Sequence, residues 1–390
     1  MAAPRQRRER RIVIAIVVFW LALALVAYAY AGYPLLVAAQ ARLWGTEAAS
    51  APVTPPVTVV VAAYNEGARI ADRVRDVLAQ DYPADCLRVV VASDGSTDST
   101  VAAANAVGDP RVDVLALADN RGKAAALAAA LARVTTPIVA FTDARQRFAP
   151  YALRRLVEPL ADPAVGAVSG ELEIRTSTDA GARPADIGLY WRMEKALREG
   201  EARLGWLHGV SGAIHAMRRE LIVVPPDGTI LDDMFLPLAA VFAGKRVWMV
   251  RNAIAIDVAS GDEGEEFRRK LRTLAGNWQL MARLPRLLSW RDNPVWFAFV
   301  SHKLARLIVP WALIAALVAS AHAPGAFYRT LFVLQLAGYV AAAIALAAPR
   351  QVARIPLLPT AGTFVLLNAA ALLSLPACLM LDPRGLWKKH

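Results

Sequence analysis

Short apolar runs of strand length alternate with helix-patterned segments across residues 56–257. The runs at 57–62, 87–92, 112–117 and 137–141 have the length and composition of buried strands. Between them, 68–79, 99–107 and 123–133 repeat apolar residues at helical spacing. Strand–helix alternation of this kind predicts parallel pairing with right-handed crossovers. On both sides the apolar pattern is longer. Residues 12–44 exceed the roughly 20 residues of one membrane span, and Gly32 and Pro34 predict a division into a span and an interfacial extension. Further apolar runs cover 296–320, 327–348 and 355–381. By span length the chain should cross a membrane about four times. Residues 267–290 are basic and amphipathic, which predicts an interfacial helix with its arginines among headgroups. Pro52, Pro55 and Pro56 mark 46–56 as a linker.

Composition strengthens the membrane expectation. Of 390 residues, 56% are hydrophobic, high for a soluble protein. The net charge is +11, and the excess lies at 5–11, 268–291 and 384–389, beside apolar segments. That placement suits anionic headgroups and not nucleic acid, for which no zinc-finger spacing or aromatic-basic signature is present. Cys86 and Cys378 are the only cysteines and lie far apart, which argues against a disulfide framework or a cysteine metal site. The N-terminal run is too long for the core of a signal peptide.

The candidate chemistry lies where apolar strands stop. Tyr64-Asn65-Glu66 follows the first strand, and Ser93-Asp94-Gly95-Ser96 ends the second. Asn120-Arg121-Gly122-Lys123 and Phe141-Thr142-Asp143 end the next two polar-tipped segments. In open α/β sheets, ligands bind at the carboxyl ends of strands. One sheet edge thus gathers carboxylates, a lysine and turn glycines, a set suited to a nucleotide diphosphate. Gly122 at a helix start lets a backbone approach an anion. Ser96 to Asp98 can cap the following helix. Leu231-Asp232-Asp233 opens another helical segment, where one acid is expected to cap and Asp232 is assigned that part.

These ordered motifs resemble the membrane-bound family 2 glycosyltransferases, the group of cellulose, hyaluronan and chitin-oligosaccharide synthases. The likeness covers about residues 56–290, and the flanking spans agree with it. It implies an α/β GT-A (Rossmann-like) nucleotide-sugar domain at 57–260, inserted between transmembrane helices. The remaining parts are a basic segment and span at 1–45, an interfacial segment at 261–292 and about three spans at 293–390. It implies an inverting transferase that moves a sugar from a nucleotide-sugar donor, such as a UDP-sugar, to a polysaccharide or lipid-linked acceptor. By the same likeness Tyr64, Glu66, Asp94, Lys123, Asp143 and Arg272 contact the donor. Asp233 is the general base. Gly212, in Gly209-Val210-Ser211-Gly212-Ala213, and Trp278 face the acceptor.

Two positions depart from the family pattern. Arg145 replaces the second acid of the DXD motif, so a divalent Mg or Mn ion at Asp143 would lack its usual second carboxylate. Either water and diphosphate oxygens complete that site, or the Arg145 guanidinium carries part of the metal's charge. The QxxRW motif keeps only Arg272; Trp278, a few residues later, either stacks on a sugar or anchors at the interface. The resemblance further implies membrane lipids and export proteins as partners, and a bacterial inner membrane with the catalytic domain in the cytosol. A non-catalytic, membrane-anchored nucleotide-sugar scaffold is the alternative. A cytosolic domain behind one N-terminal span would leave Arg5–Arg11 outside, against the positive-inside tendency. A re-entrant first segment, broken near Gly32, Tyr33 and Pro34, would remove that conflict. Three C-terminal spans would put Lys388 and Lys389 outside as well. His302, Lys303 and Arg306, in the opening turns of the second apolar run, are expected to snorkel toward the cytoplasmic surface.

Overall fold

The computed structural model describes residues 3–175, 185–258, 263–352, 355 and 357–380. The basic cluster at 384–389 and the expected domain boundary at 260–261 lie outside the described residues.

The strands are β1 (Val57–Ala63), β2 (Leu87–Ser93), β3 (Val112–Ala116), β4 (Ile138–Asp143), β5 (Arg147–Phe148), β6 (Val165–Arg175), β7 (His215–Arg218) and β8 (Arg246–Val258). They form one sheet in the order β3-β2-β1-β4-β7-β6-β8-β5. The first four strands pair in parallel, as their apolar runs predict. Val57 stands opposite both Leu87 and Ile138, and Ala62 opposite both Ala92 and Asp143. Strands in that register stop together, so the loops after β1, β2 and β4 open on one edge.

The expected parallel pattern fails beyond Asp143. There β7 runs antiparallel to both β4 and β6, and β5 antiparallel to β8, while β6 and β8 are parallel. The reversal has a positional consequence. Phe141 near the end of β4 pairs with His215 at the start of β7, so the Gly209–Ala213 loop that leads into β7 arrives at the ligand edge. A parallel β7 would have carried that loop to the opposite edge.

The helices are α1 (Ala3–Ala27), α2 (Tyr33–Trp44), α3 (Ile70–Leu78), α4 (Thr100–Asn105), α5 (Lys123–Leu131), α6 (Ala152–Val157), α7 (Ala185–Arg203) and α8 (Asp232–Phe242). There follow α9 (Glu263–Arg283), α10 (Trp296–Phe299), α11 (Ala305–His322), α12 (Ala326–Ala347), α13 (Pro349–Val352) and α14 (Leu358–Met380). Valines of β1 and β2, Ile70 and Val74 of α3, and Leu127 of α5 form the main core. Among the described residues, four helices are long and apolar enough to cross a membrane: Gln6–Trp44, Trp296–His322, Ala326–Ala347 and Leu358–Met380. Their large apolar side chains point outward, with Leu21, Leu35, Leu334 and Leu379 exposed.

The first apolar segment is not broken at Gly32 and Pro34. A π-helical turn, Tyr28–Gly32, joins α1 to α2, and the Tyr33 amide bonds back to the Tyr28 carbonyl. The wider turn accommodates Pro34, whose ring would otherwise crowd the preceding turn. A second π turn, Val300–Leu304, joins α10 to α11. Helix α9, within the segment expected to be interfacial, ends at Arg283, and Pro285 begins a separate 3-10 turn.

Candidate active site

Backbone chemistry builds the nucleotide side of the edge. Gly95 has φ +63°, and a Cβ there would meet the Asn120 amide nitrogen at 2.4 Å. Glycine is thus required for the loop after β2 to lie against the 119–122 loop. Asp94, 2% exposed, accepts the Arg121 amide at Oδ1 (2.9 Å) and the Gly122 amide at Oδ2 (2.7 Å). Bonds to a charged acceptor contribute about 1.5–3 kcal/mol each. Asp94 thereby holds the turn that starts α5. Asn65, at φ 52°, accepts the Thr97 amide (2.9 Å) and ties the first loop to the second. Glu66 is buried, and its carboxylate meets Arg69 at 3.3 Å. Tyr64 is half-buried in the same loop.

At the centre, Lys123 Nζ lies 3.0 Å from Asp143 Oδ1 and 3.0 Å from Asp232 Oδ2. Burial would lower the lysine pKa, but the two carboxylates outweigh it and raise it above the ordinary value. Burial likewise opposes ionisation of Asp143, and Lys123 reverses that, holding its pKa below the ordinary value. Asp232 was expected to cap α8. Instead Leu231 is the N-cap residue, no side chain caps the helix, and Asp232 turns to Lys123. A neighbouring ammonium at low dielectric attracts a carboxylate more strongly than a partly solvated helix end does.

Asp233 follows the other direction. Its Oδ1 is buried and has no hydrogen-bond partner among the described residues. A Cβ on Gly212 would lie 3.5 Å from its Oδ2, so the glycine leaves space in front of the carboxylate. Burial first, and the charge of Asp232 second, push the Asp233 pKa up to about 6, against the opposing charges of Lys123 and Lys303. A carboxyl near that value is ionised at neutral pH and still basic enough to take a proton.

Arg272 on α9 reaches this set. Burial lowers its pKa, while the charges of Asp143, Asp233 and Asp232 oppose the change. Trp278 donates its indole N–H to Ser374 of α14 (2.9 Å), which joins α9 to the last apolar helix. Arg145 lies 2.5 Å from the buried Asp257 Oδ2, which also accepts from Gln146 (3.1 Å).

Three neighbours escaped the sequence. Arg73, 1% exposed, pairs with Asp76, donates to Thr142 Oγ1 (2.6 Å) and lies over the Phe148 ring. It fixes the residue before Asp143. A lone arginine on the apolar stripe of α3 was the available signal. His215 stacks on Phe141 at 4.8 Å, and burial pushes its pKa down to about 4. Asp257 closes the third gap, and no local pattern pairs it with Arg145.

Among the described residues, no three His, Cys, Asp or Glu side chains come together to hold a metal. A site of the magnesium type, with one carboxylate and the rest from phosphate and water, needs less. Asp143 suits that: its side chain is 38% exposed, and Lys123 engages only Oδ1.

Residues 58–223 match the family described as glycosyl transferase family 2. An N-acetylglucosaminyltransferase of Rhizobium sp. (strain N33) is 28% identical over 277 residues, 67% of this chain and 62% of that protein. One from Rhizobium leguminosarum bv. trifolii is 32% identical over 131 residues, 32% of this chain and 71% of that protein. The chain thus spans less than two thirds of the first of these relatives. Among solved structures, the mannosyltransferase PcManGT from Pyrobaculum calidifontis, in complex with GDP-Man and Mn2+, is 28% identical with TM-score 0.68, covering 93% of this chain and 99% of that one.

Proposed function

The chain belongs to glycosyl transferase family 2 and uses a nucleotide sugar, and from that premise we propose an inverting, membrane-integral enzyme with Asp233 as its general base. The observation that carries the proposal is the Asp233 carboxylate: unpartnered at Oδ1, open toward Gly212, and tuned to about 6. A scaffold that only binds nucleotide sugar has no use for such a group.

In this reading the acceptor hydroxyl attacks the anomeric carbon from the face opposite the diphosphate. Asp233 takes the hydroxyl proton as the new C–O bond forms and the bond to the diphosphate oxygen breaks. Lys123 and Arg272 balance the charge that builds on the leaving group. Asp143 would hold a divalent ion together with diphosphate oxygens, and the ion when bound would add Lewis-acid stabilisation of the leaving group. Arg145 is matched by Asp257, so it is assigned to supporting the loop after β4. Tyr64, Glu66 and Asp94 line the nucleotide side.

For the donor we favour a UDP-sugar, with N-acetylglucosamine first, because the curated relatives carry that sugar in their names. The apolar helices support anchoring in a bilayer, and donor supply favours a cytosolic catalytic face of a bacterial inner membrane. The acceptor is a glycan or a lipid-linked glycan.

The test is nucleotide release by the full chain in lipid nanodiscs, from a panel of UDP- and GDP-sugars, with Mg²⁺, Mn²⁺ or EDTA. Turnover of one sugar, lost in Asp233→Asn, supports the reading and names the donor; a GDP-mannose preference would replace the UDP assignment. Donor binding without turnover when lipid extract is supplied as acceptor, with the variant indistinguishable, would favour the scaffold.

A further inference from the structure

Two connections tie the sheet domain to the apolar helices. In one, His302, expected with Arg306 to snorkel, instead lies between Glu201 (2.8 Å) and Glu194 (2.9 Å) of α7, and Glu194 also meets Arg306 (2.7 Å). The other runs through α9 and reaches the two acids at the start of α8. Trp278 ties α9 to α14. Arg272, Gly276, Gln279 and Arg283 follow one another at intervals of four, three and four residues, so they share one face of α9. That face lies against residues 226–231, the segment that leads into Asp232 and Asp233.

Gln279 grips the backbone of this segment at two points. Its Nε2 donates to the Gly228 carbonyl (2.8 Å), and its Oε1 accepts the Ile230 amide (2.9 Å). Arg283 holds the residues just before. Its Nη1 donates to Thr229 Oγ1 (2.8 Å) and the Pro226 carbonyl (3.3 Å), and its Nη2 to the Asp227 carbonyl (3.0 Å). Gly276 lets the helix close on the next residue, because a Cβ there would lie 2.6 Å from Leu231 Cγ. Leu280 and Met281 of α9 also share an apolar cluster with Leu231, Met234 and Leu238. Apolar packing is non-directional. The paired donor and acceptor of Gln279 fix where along α9 the segment sits, since hydrogen bonds weaken steeply off their preferred distance and angle. The acids follow directly, and Arg272 feels the charges of both Asp232 and Asp233 from the other end of the same face.

We propose that Gln279, supported by Arg283, is a positioning residue for Asp233: it fixes the Gly228–Ile230 backbone on α9 and so sets where the carboxylate stands relative to Arg272. One rigid helix then carries the leaving-group cation and aligns the base. Gln279 touches no substrate and acts through the backbone that precedes the acids. It is not the glutamine of the QxxRW pattern, whose place Arg269 takes. This rests on the proposed role of Asp233 and adds to the same site the residues that hold the base in place.

The test is nucleotide release by the full chain in nanodiscs, from UDP-N-acetylglucosamine or GDP-mannose, whichever is turned over, beside binding of UDP and GDP. Gln279→Met keeps the length of the side chain and removes both hydrogen bonds. It should lower kcat about ten- to a hundredfold, as a misplacement of about 1 Å can. The donor KM and the nucleotide Kd should stay within about twofold, since only the base has moved. In an Asp233→Asn background the same substitution should lower kcat less than about twofold, because residues that act through one group are not additive. Arg283→Gln should show the same split at smaller size, and it decides the matter if Gln279→Met loses nucleotide binding and is therefore unfolded. A folded Gln279→Met that keeps its kcat, or that loses the same factor with and without Asp233, overturns the positioning role while Asp233→Asn still reports on the base. Turnover retained in Asp233→Asn alone would remove the base assignment, and this proposal with it.

Discussion

Replacing Asp233 by Asn separates a catalytic role from a structural one, because the two predict opposite changes in stability. The Asp233 pKa rises from 3.8 to about 6 on folding. An acid whose pKa is raised binds its proton more tightly in the folded state, so its ionised form costs stability. That cost is absent below about pH 4, grows between about 4 and 6, and is complete above about 6. A shift of roughly two units corresponds to about 3 kcal/mol. Asn keeps the shape and removes the charge, so Asp233→Asn should melt a few degrees above the wild type at pH 7.5 and match it near pH 4. Turnover should fall by about 10²–10⁴, the usual contribution of a general base. In the wild type, kcat/KM should rise about tenfold from pH 5 to pH 7, as a group titrating near 6 requires; an unshifted carboxylate would give a nearly flat profile. The assays are nucleotide release and thermal melting in nanodiscs across that range. An Asn variant that melts below the wild type at pH 7.5, or keeps more than a tenth of its turnover, refutes the reasoning.

Lys123→Met removes the cation shared by Asp143 and Asp232; it should destabilise the fold by about 3–5 kcal/mol, read by denaturant or heat, and abolish turnover. Gly95→Ala adds a Cβ 2.4 Å from the Asn120 nitrogen at φ +63°, so it should weaken nucleotide binding by calorimetry at least tenfold and lower the melting temperature. Gly212→Ala meets Asp233 Oδ2 only at 3.5 Å, an ordinary contact. It should leave melting nearly unchanged while lowering kcat/KM several-fold, because the methyl occupies space in front of the carboxylate.

The half of the sheet built from Val-rich runs was legible in the chain, since β1, β2 and β4 are buried on both faces and their strand ends carry the polar residues. The other half was not. β7 has four residues, His215–Arg218, too few for any periodicity to show, and its direction depends on pairing with β4. Local pattern also misassigned Asp232, because a helix start looks the same whether its acid caps the helix or meets a lysine more than a hundred residues away. Gly32 and Pro34 signal a break in sequence, yet a π turn absorbs them. The Arg145–Asp257 pair and the Glu194–His302–Glu201 cluster join residues from distant segments, and neither member of either group signals the other. Charges inside apolar runs were visible; their partners were not.

Asp232 and Asp233 are adjacent and chemically identical, and the site depends on their being made unequal. Successive residues at a helix start project about a hundred degrees apart, so one carboxylate meets Lys123 while the other faces the gap over Gly212. The lysine neutralises the first. The second is buried beside that carboxylate and lacks a hydrogen bond at Oδ1. Pairs of acids driven apart in this way mark proton-transfer sites. The same logic extends outward: Lys123 serves the donor side, and Lys303 acts on Asp233 from the membrane side. The proposed base therefore stands between two cations that draw its pKa down and a burial that pushes it up.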